Sequence, residues 1–259
     1  MNLRYISLWM NYCQYSGIDD KFGNKFNYNS RFVNNFISRQ VREWNITTSD
    51  MNMISVALSK NIECNGVKLN PCDHVIAVEI RTTDQELAAY TIMEKKEQCE
   101  FYLHKLEQGY ELAHSICNFD ISKLYNIHAL FRSLDYKNEW LFKKKTIKQY
   151  GIIVSLDCSL TYSEFNLLLS VHDAKTKELI ERRSIYRTLP DEIFYSKRLK
   201  KAIFDMDKLL ILDFLNKPVC EFYYRDLANG IITVNLLNQA DIKFLYNENT
   251  QKEYDWIKA

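Results

Sequence analysis

The sequence predicts an α+β fold, with a helix-leaning first half and a second half rich in antiparallel hairpins. Three observations carry this. Apolar residues recur at helical spacing before Asp135, short β-branched and aromatic runs alternate with polar turns after it, and Asn-Gly pairs stand at 65–66 and 229–230. With 47% apolar and 26% charged residues over 259 positions, the chain has the composition of a folded protein rather than a disordered one.

Leu3 to Tyr12 reads as an opening strand. Ser30 is placed to cap a helix in which Phe32, Val33, Phe36, Ile37 and Val41 share a face. Ile62 to Leu69, centred on Asn65-Gly66, reads as a hairpin. Val75 to Ile80 is an apolar run between Pro71 and Thr82-Thr83-Asp84, as expected of a buried strand. Asp84 is expected to cap the longest helix, running to about Cys117 with a break at Gly109. Ala88, Ile92, Cys99, Tyr102, Leu103, Leu106, Tyr110 and Ala113 would form its apolar face. A further helix is expected from Ile121 to Leu134.

The second half opens with strands at Tyr150 to Cys158, Ser163 to His172 and Glu178 to Leu189, the last pair joined by the polar turn 173–177. Pro190-Asp191-Glu192 opens a helix that extends through Lys197, Lys200 and Lys201. Val219 to Arg225 and Ile231 to Leu237 are expected to pair around Asn229-Gly230, and the ending from Asp241 fits helix or strand. There is no Pro/Gly/Ser linker. The chain reads as one globular unit over 1–259, divisible into 1–135 and 136–259 at the polar stretch Ser133 to Glu139.

Charge limits the partners. The net charge is +1, with 14 basic against 16 acidic residues up to Asp135 and 20 against 17 after it, far from the excess of a dedicated nucleic-acid module. Phosphate contact, if made, falls to Lys143, Lys144 and Lys145 or to Lys197, Arg198, Lys200 and Lys201. The most apolar run, Leu209 to Leu215, is interrupted by Asp213 and too short to span a bilayer, so no membrane partner is expected. The seven cysteines have no CxxC spacing, and the N-terminus lacks the pattern of a signal peptide. Both point to a cytoplasmic protein with free, mostly buried thiols.

The most suggestive chemistry lies in Asp73-His74-Val75-Ile76-Ala77-Val78-Glu79-Ile80-Arg81. A strand that ends in Glu-x-Arg and enters a helix resembles the core of the PD-(D/E)xK nucleases. That resemblance implies a divalent cation such as Mg²⁺ held by Asp73 and Glu79, with Arg81 beside the phosphate. Arg81 stands where the family has lysine, and Asp73 approaches the same strand rather than a preceding one. The opening strand is similar to the entry hairpin of SMC-like ATPases, but no phosphate loop follows it.

Glu100, His104, Glu107, Glu111 and His114 share a stripe with metal-ligand spacing, including one Glu-x-x-His. Lying opposite the apolar face, the stripe reads as solvated. Cys158, His172 and their aspartate neighbours could be grouped only by the fold. With no phosphate loop, nucleophile elbow or complete ligand set, the leading expectation is a non-enzymatic protein-binding protein with no cofactor. A toxin-neutralising immunity protein of a bacterial conflict system fits the size and location by analogy. The metal-dependent nuclease is the alternative.

Overall fold

The computed structural model describes residues 1–11 and 20–234. Cys13, the end of the opening strand at Tyr12, residues 235–237 of the expected last strand, and the ending from Asp241 lie outside the described residues. The described residues form six α-helices and eleven strands, helices mostly in the first half and hairpin sheets in the second. The chain divides into two compact units, Met1–Asn138 and Glu139–Ala259.

The first unit is built on a four-stranded sheet in the order β1-β2-β4-β3. Strand β1 (Tyr5–Met10) is followed by helix α1 (Asp20–Glu43), and β2 (Met53–Ser59) returns parallel to β1. β4 (Val75–Arg81) lies parallel to β2 on its other side, and β3 (Gly66–Asn70) completes the edge antiparallel to β4. Three parallel strands therefore form the core of a half in which the sequence signals were read as hairpin and isolated strands. Alternation puts Ile6, Leu8, Met10, Ile54, Val56, Leu58, Ile76, Val78 and Ile80 on one face, all buried.

Helices α2 (Asp84–Ile92), α3 (Lys95–Ile116) and α4 (Ile121–Ser133) follow β4. The expected single helix over 84–117 is interrupted at Met93-Glu94, not at Gly109. Thr83 caps α2 in a capping box with Glu86, and Glu94 starts α3 in another with Glu97. The interruption shifts the helical phase, so Ala88 and Ile92 are exposed while Leu87 and Tyr90 are buried. Gly109 sits inside α3 because the helix passes close to the sheet: a Cβ there would lie 2.5 Å from Val56 Cγ2.

Asn65-Gly66 does not turn a hairpin; it begins β3, whose partner is β4. The turn is instead Pro71 to His74, with His74 at φ +56°. α1 starts ten residues before Ser30, and Ser30 serves mid-helix to satisfy β1. The outer edge of β1 would expose unpaired backbone groups. A ladder of α1 side chains closes it. Asn27 Oδ1 accepts from Met10 N–H (2.6 Å) and its Nδ2 donates to Met10 C=O (3.3 Å). Asn34 does the same for Leu8 (2.9 and 3.0 Å), Ser30 Oγ also donates to Leu8 C=O, and Ser38 bonds both groups of Ile6.

In the second unit, β5 (Asn138–Ile147), β6 (Ile152–Leu160), β7 (Phe165–Asp173) and β8 (Leu179–Thr188) form one sheet in sequence order. β6, β7 and β8 pair antiparallel, as the alternation predicts. β5 carries no clear strand signal in the sequence, because three lysines interrupt its apolar pattern. β9 (Lys201–Phe204), β10 (Lys208–Leu212) and β11 (Pro218–Tyr223) form a second sheet with β10 central. Helix α5 (Glu192–Tyr195), capped by Asp191, stops before Lys197, because Ala202-Ile203-Phe204 is drawn into pairing with β10.

The chain after β11 turns into helix α6 (Tyr224–Ala228) rather than a hairpin. Gly230, at φ +72°, closes that helix: its N–H reaches Leu227 C=O and Ile231 N–H reaches Asp226 C=O. Both bonds of a Schellman cap are therefore present.

Candidate binding face on the N-terminal sheet

The helices of the first unit cover one face of its sheet; the other carries a different chemistry. Alternation turns Tyr5, Ser7 and Trp9 of β1, Ser55 and Ala57 of β2, Ala77 and Glu79 of β4, and Gly66 and Lys68 of β3 the other way. Tyr5 and Trp9 are 47% and 37% exposed. Glu79 and Lys68 are exposed, and Ser7, Ser55, Ala77 and Gly66 are half-buried. The small residues leave a depression of about 460 Å³ lined by Trp9, Ser55, Ala57, Gly66, Lys68 and Glu79.

The wall of this depression is fixed. Trp9 Nε1 donates to Ser55 Oγ (3.0 Å), and Ser7 Oγ donates to the same oxygen (3.2 Å). The indole is thereby tied to β2 with little rotamer freedom left to lose on binding. Parallel strands are usually covered on both faces. An accessible face of serine, alanine and glycine lets a second layer approach closely, with an aromatic wall on one side and opposite charges, Lys68 and Glu79, on the other.

The residues of the nuclease resemblance separate here. Glu79 and Arg81 share the outward side of β4. Asp73 lies in the turn before that strand, where its Oδ2 accepts from Asn70 Nδ2 (2.6 Å). Val75 and Glu79 alone are about 13 Å apart along the strand, so Asp73 and Glu79 stand at opposite ends. Glu79 Oε1 accepts a long bond from Ser59 Oγ (3.5 Å), and Arg81 donates to Asn65 Oδ1 from its backbone and to Glu63 C=O from its guanidinium. Among the described residues, no three His, Cys, Asp or Glu side chains are placed to hold a metal ion.

The stripe on α3 is not simply solvated. Glu100 and Glu107 lean onto α4: Arg132 pairs with both, at 2.9 and 3.4 Å, and Tyr136 donates to Glu100. Glu111 accepts from Tyr125, whereas His104 and His114 stay exposed. At the centre is His128, fully buried, with Nδ1 2.9 Å from Glu107 Oε1 and Nε2 3.2 Å from the Tyr110 hydroxyl. One protonation state satisfies every partner: Nδ1–H donates to the carboxylate and Nε2 accepts from the tyrosine. Burial drives the His128 pKa down and outweighs the pull of Glu107. Hydrogen bonding to His128 holds Glu107 below the usual carboxylate range despite its burial, and burial raises Tyr110 well above the ordinary phenol. This network of hydrogen bonds and ion pairs ties α4 to α3. His128 carried no sequence signal; only its position at the buried spacing Leu124, Ile127, Phe131 could have marked it.

Cys158 and His172 do not meet. Cys158 pairs with Leu167 and His172 with Ile153, so the two lie on opposite faces of the sheet, about five residues apart along β6. Lys143, Lys144 and Lys145 lie on β5, and Lys145 Nζ donates to Phe204 C=O at the end of β9 (3.3 Å). Lys197, Arg198 and Lys200 precede β9 and Lys201 opens it, whereas Lys145 meets its other end at Phe204. Among the described residues, no helix is long and apolar enough to cross a membrane.

Comparison with protein-family models, with curated proteins and with solved structures returns no match.

Proposed function

We propose that this is a non-enzymatic binding protein that takes a protein partner on the outward face of its N-terminal sheet. The supporting observation is the depression floored by Ser55, Ala57, Gly66 and Ala77 and walled by the hydrogen-bonded Trp9. Tryptophan and tyrosine dominate binding energy at protein interfaces when they are held rigidly in a patch that excludes water. Four strands spaced by about 4.8 Å and some 20 Å long give a plane of roughly 400 Å². That is about half of one partner's share of a standard interface, so the partner's contact extends past the edges of the sheet. In its narrower form the partner is a toxin that this chain neutralises.

The test places a photo-cross-linking residue at Ala77 and, as a control on the helical layer, at His104. The full chain is then co-expressed with the products of neighbouring reading frames. Stoichiometric cross-linking at Ala77 and not at His104, abolished by Trp9→Ala, is the expected result. Equal labelling at both positions, or no stoichiometric protein partner, overturns the proposal.

A further inference from the structure

In the second unit the turn between β10 and β11 carries two large apolar side chains that stay exposed. Phe214 is 55% and Leu215 56% exposed. The turn beneath them is rigid. Asp213, itself buried, accepts from Leu215 N–H (2.9 Å) and Lys217 N–H (2.8 Å), and Asp213 N–H donates to Lys217 C=O. Asn216 takes the left-handed conformation that closes it.

The neighbouring segment supplies charge. Phe214 N–H donates to Lys197 C=O (2.8 Å), Lys200 N–H donates to Leu212 C=O (3.0 Å), and Lys201 pairs with Leu212. Lys197, Lys200, Lys201 and Lys217 therefore surround the tip. All four are exposed, and none is held in an ion pair among the described residues. Ile193, 63% exposed, stands four residues before Lys197 in the adjoining helical turns. Asp213 is taken up by the turn, and Asp191 accepts from the N–H of Ile193.

We infer that this tip docks on an anionic lipid surface, with Phe214 and Leu215 entering the headgroup boundary and the four lysines resting on the phosphates. The chemistry favours this occupant over a nucleic acid, because the sugar–phosphate backbone that lysines contact offers no apolar phase for Phe214 and Leu215 to enter. A bilayer solvates them and attracts the ring of ammonium groups at once. It also selects a bilayer over a protein groove, since the apolar groups protrude from a hairpin end.

The test uses the full chain in co-sedimentation with vesicles of phosphatidylcholine containing phosphatidylserine at roughly a third of the lipid, against phosphatidylcholine alone. Binding is expected only to the anionic vesicles. It should fall steeply when NaCl rises from about 0.1 to about 1 M, which shortens the Debye length from about 10 to about 3 Å. A lysine near an anionic leaflet contributes about a fivefold gain in partitioning, so the pair Lys197→Glu and Lys201→Glu should lose at least about 25-fold. Phe214→Ser with Leu215→Ser should lose about tenfold or more with an unchanged far-ultraviolet spectrum. If the wild type does not pellet with anionic vesicles, the inference fails. It also fails if the serine variant pellets like the wild type while duplex DNA competes, since the lysines would then be a general polyanion patch.

Discussion

Asn27 is the position at which the edge ladder on β1 can be broken most cleanly. Replacing Asn27 by leucine keeps nearly the same volume and improves helix propensity by about 0.5 kcal/mol. It also removes the partners of both backbone groups of Met10, a residue with no exposed surface. Each buried backbone group left without a partner costs about 1–3 kcal/mol, so Asn27→Leu should destabilise the first unit by roughly 2–5 kcal/mol. Asn34→Leu should cost less, about 1–3 kcal/mol. Leu8 C=O keeps the Ser30 hydroxyl at 2.8 Å, and Asn34 is only half-buried. Urea unfolding followed by circular dichroism gives both values, and hydrogen exchange at the Met10 amide reports the local bond. If Asn27→Leu stays within about 0.5 kcal/mol of the wild type, the usual scatter of neutral surface changes, or if it costs less than Asn34→Leu, the ladder is not what holds this edge.

Four further outcomes follow from the same geometry. Gly109→Ala should destabilise despite better helix propensity, because about 1–3 kcal/mol of overpacking against Val56 exceeds the roughly 1 kcal/mol gained; adding Val56→Ala should relieve it in a double-mutant cycle by thermal melting. Lys105, only 2% exposed, donates to Glu86 at 2.7 Å. Glu86→Gln keeps the helix cap but strands a buried ammonium, so it should melt well below Lys105→Met, which removes the charge altogether. His128 is neutral when folded because its pKa is depressed, so the unfolded chain binds the proton first. Stability should therefore fall as pH drops below about 6.5, and His128→Gln should flatten that limb of a pH–melting profile. Titration with Mg²⁺ or Mn²⁺ should leave the melting temperature unchanged, since Asp73 and Glu79 stand at opposite ends of β4; a saturable rise would restore the nuclease reading.

Much of the fold was legible because it rests on periodicity. The α4 helix, strands β6, β7 and β8, and the buried face Cys99 to Ala113 all follow from spacing alone. What failed was the assignment of local signals to their structural use. Asn229-Gly230 signalled a left-handed residue and Gly230 is one, but the conformation caps a helix. Gly109 looked like a helix break and is a point of close approach. The charged stripe on α3 resembled a solvated face because sequence cannot show that α4 would bring Arg132 and His128 against it. The candidate face was half visible: Glu79 and Arg81 carry charge at a strand end, whereas Ser55, Ala57 and Ala77 are too small to attract notice until β2 and β4 align them.

The ladder on β1 also sets a limit of scale. Alternate residues of a strand repeat every 6.6 Å or so, and a helix turn every 5.4 Å. From Asn27 to Ser38 the helix rises about 16 Å, while Met10 to Ile6 spans about 13 Å. The two rulers meet only because Ser30 and Asn34 share Leu8, and because two long amides and two short hydroxyls take up the difference. Like the scales of a vernier, they coincide over a short interval and then part. One pair further on, only the long guanidinium of Arg42 still reaches the strand, donating to Arg4 C=O at 3.3 Å. Covering even the six residues of β1 thus takes side chains of three different lengths from one helix.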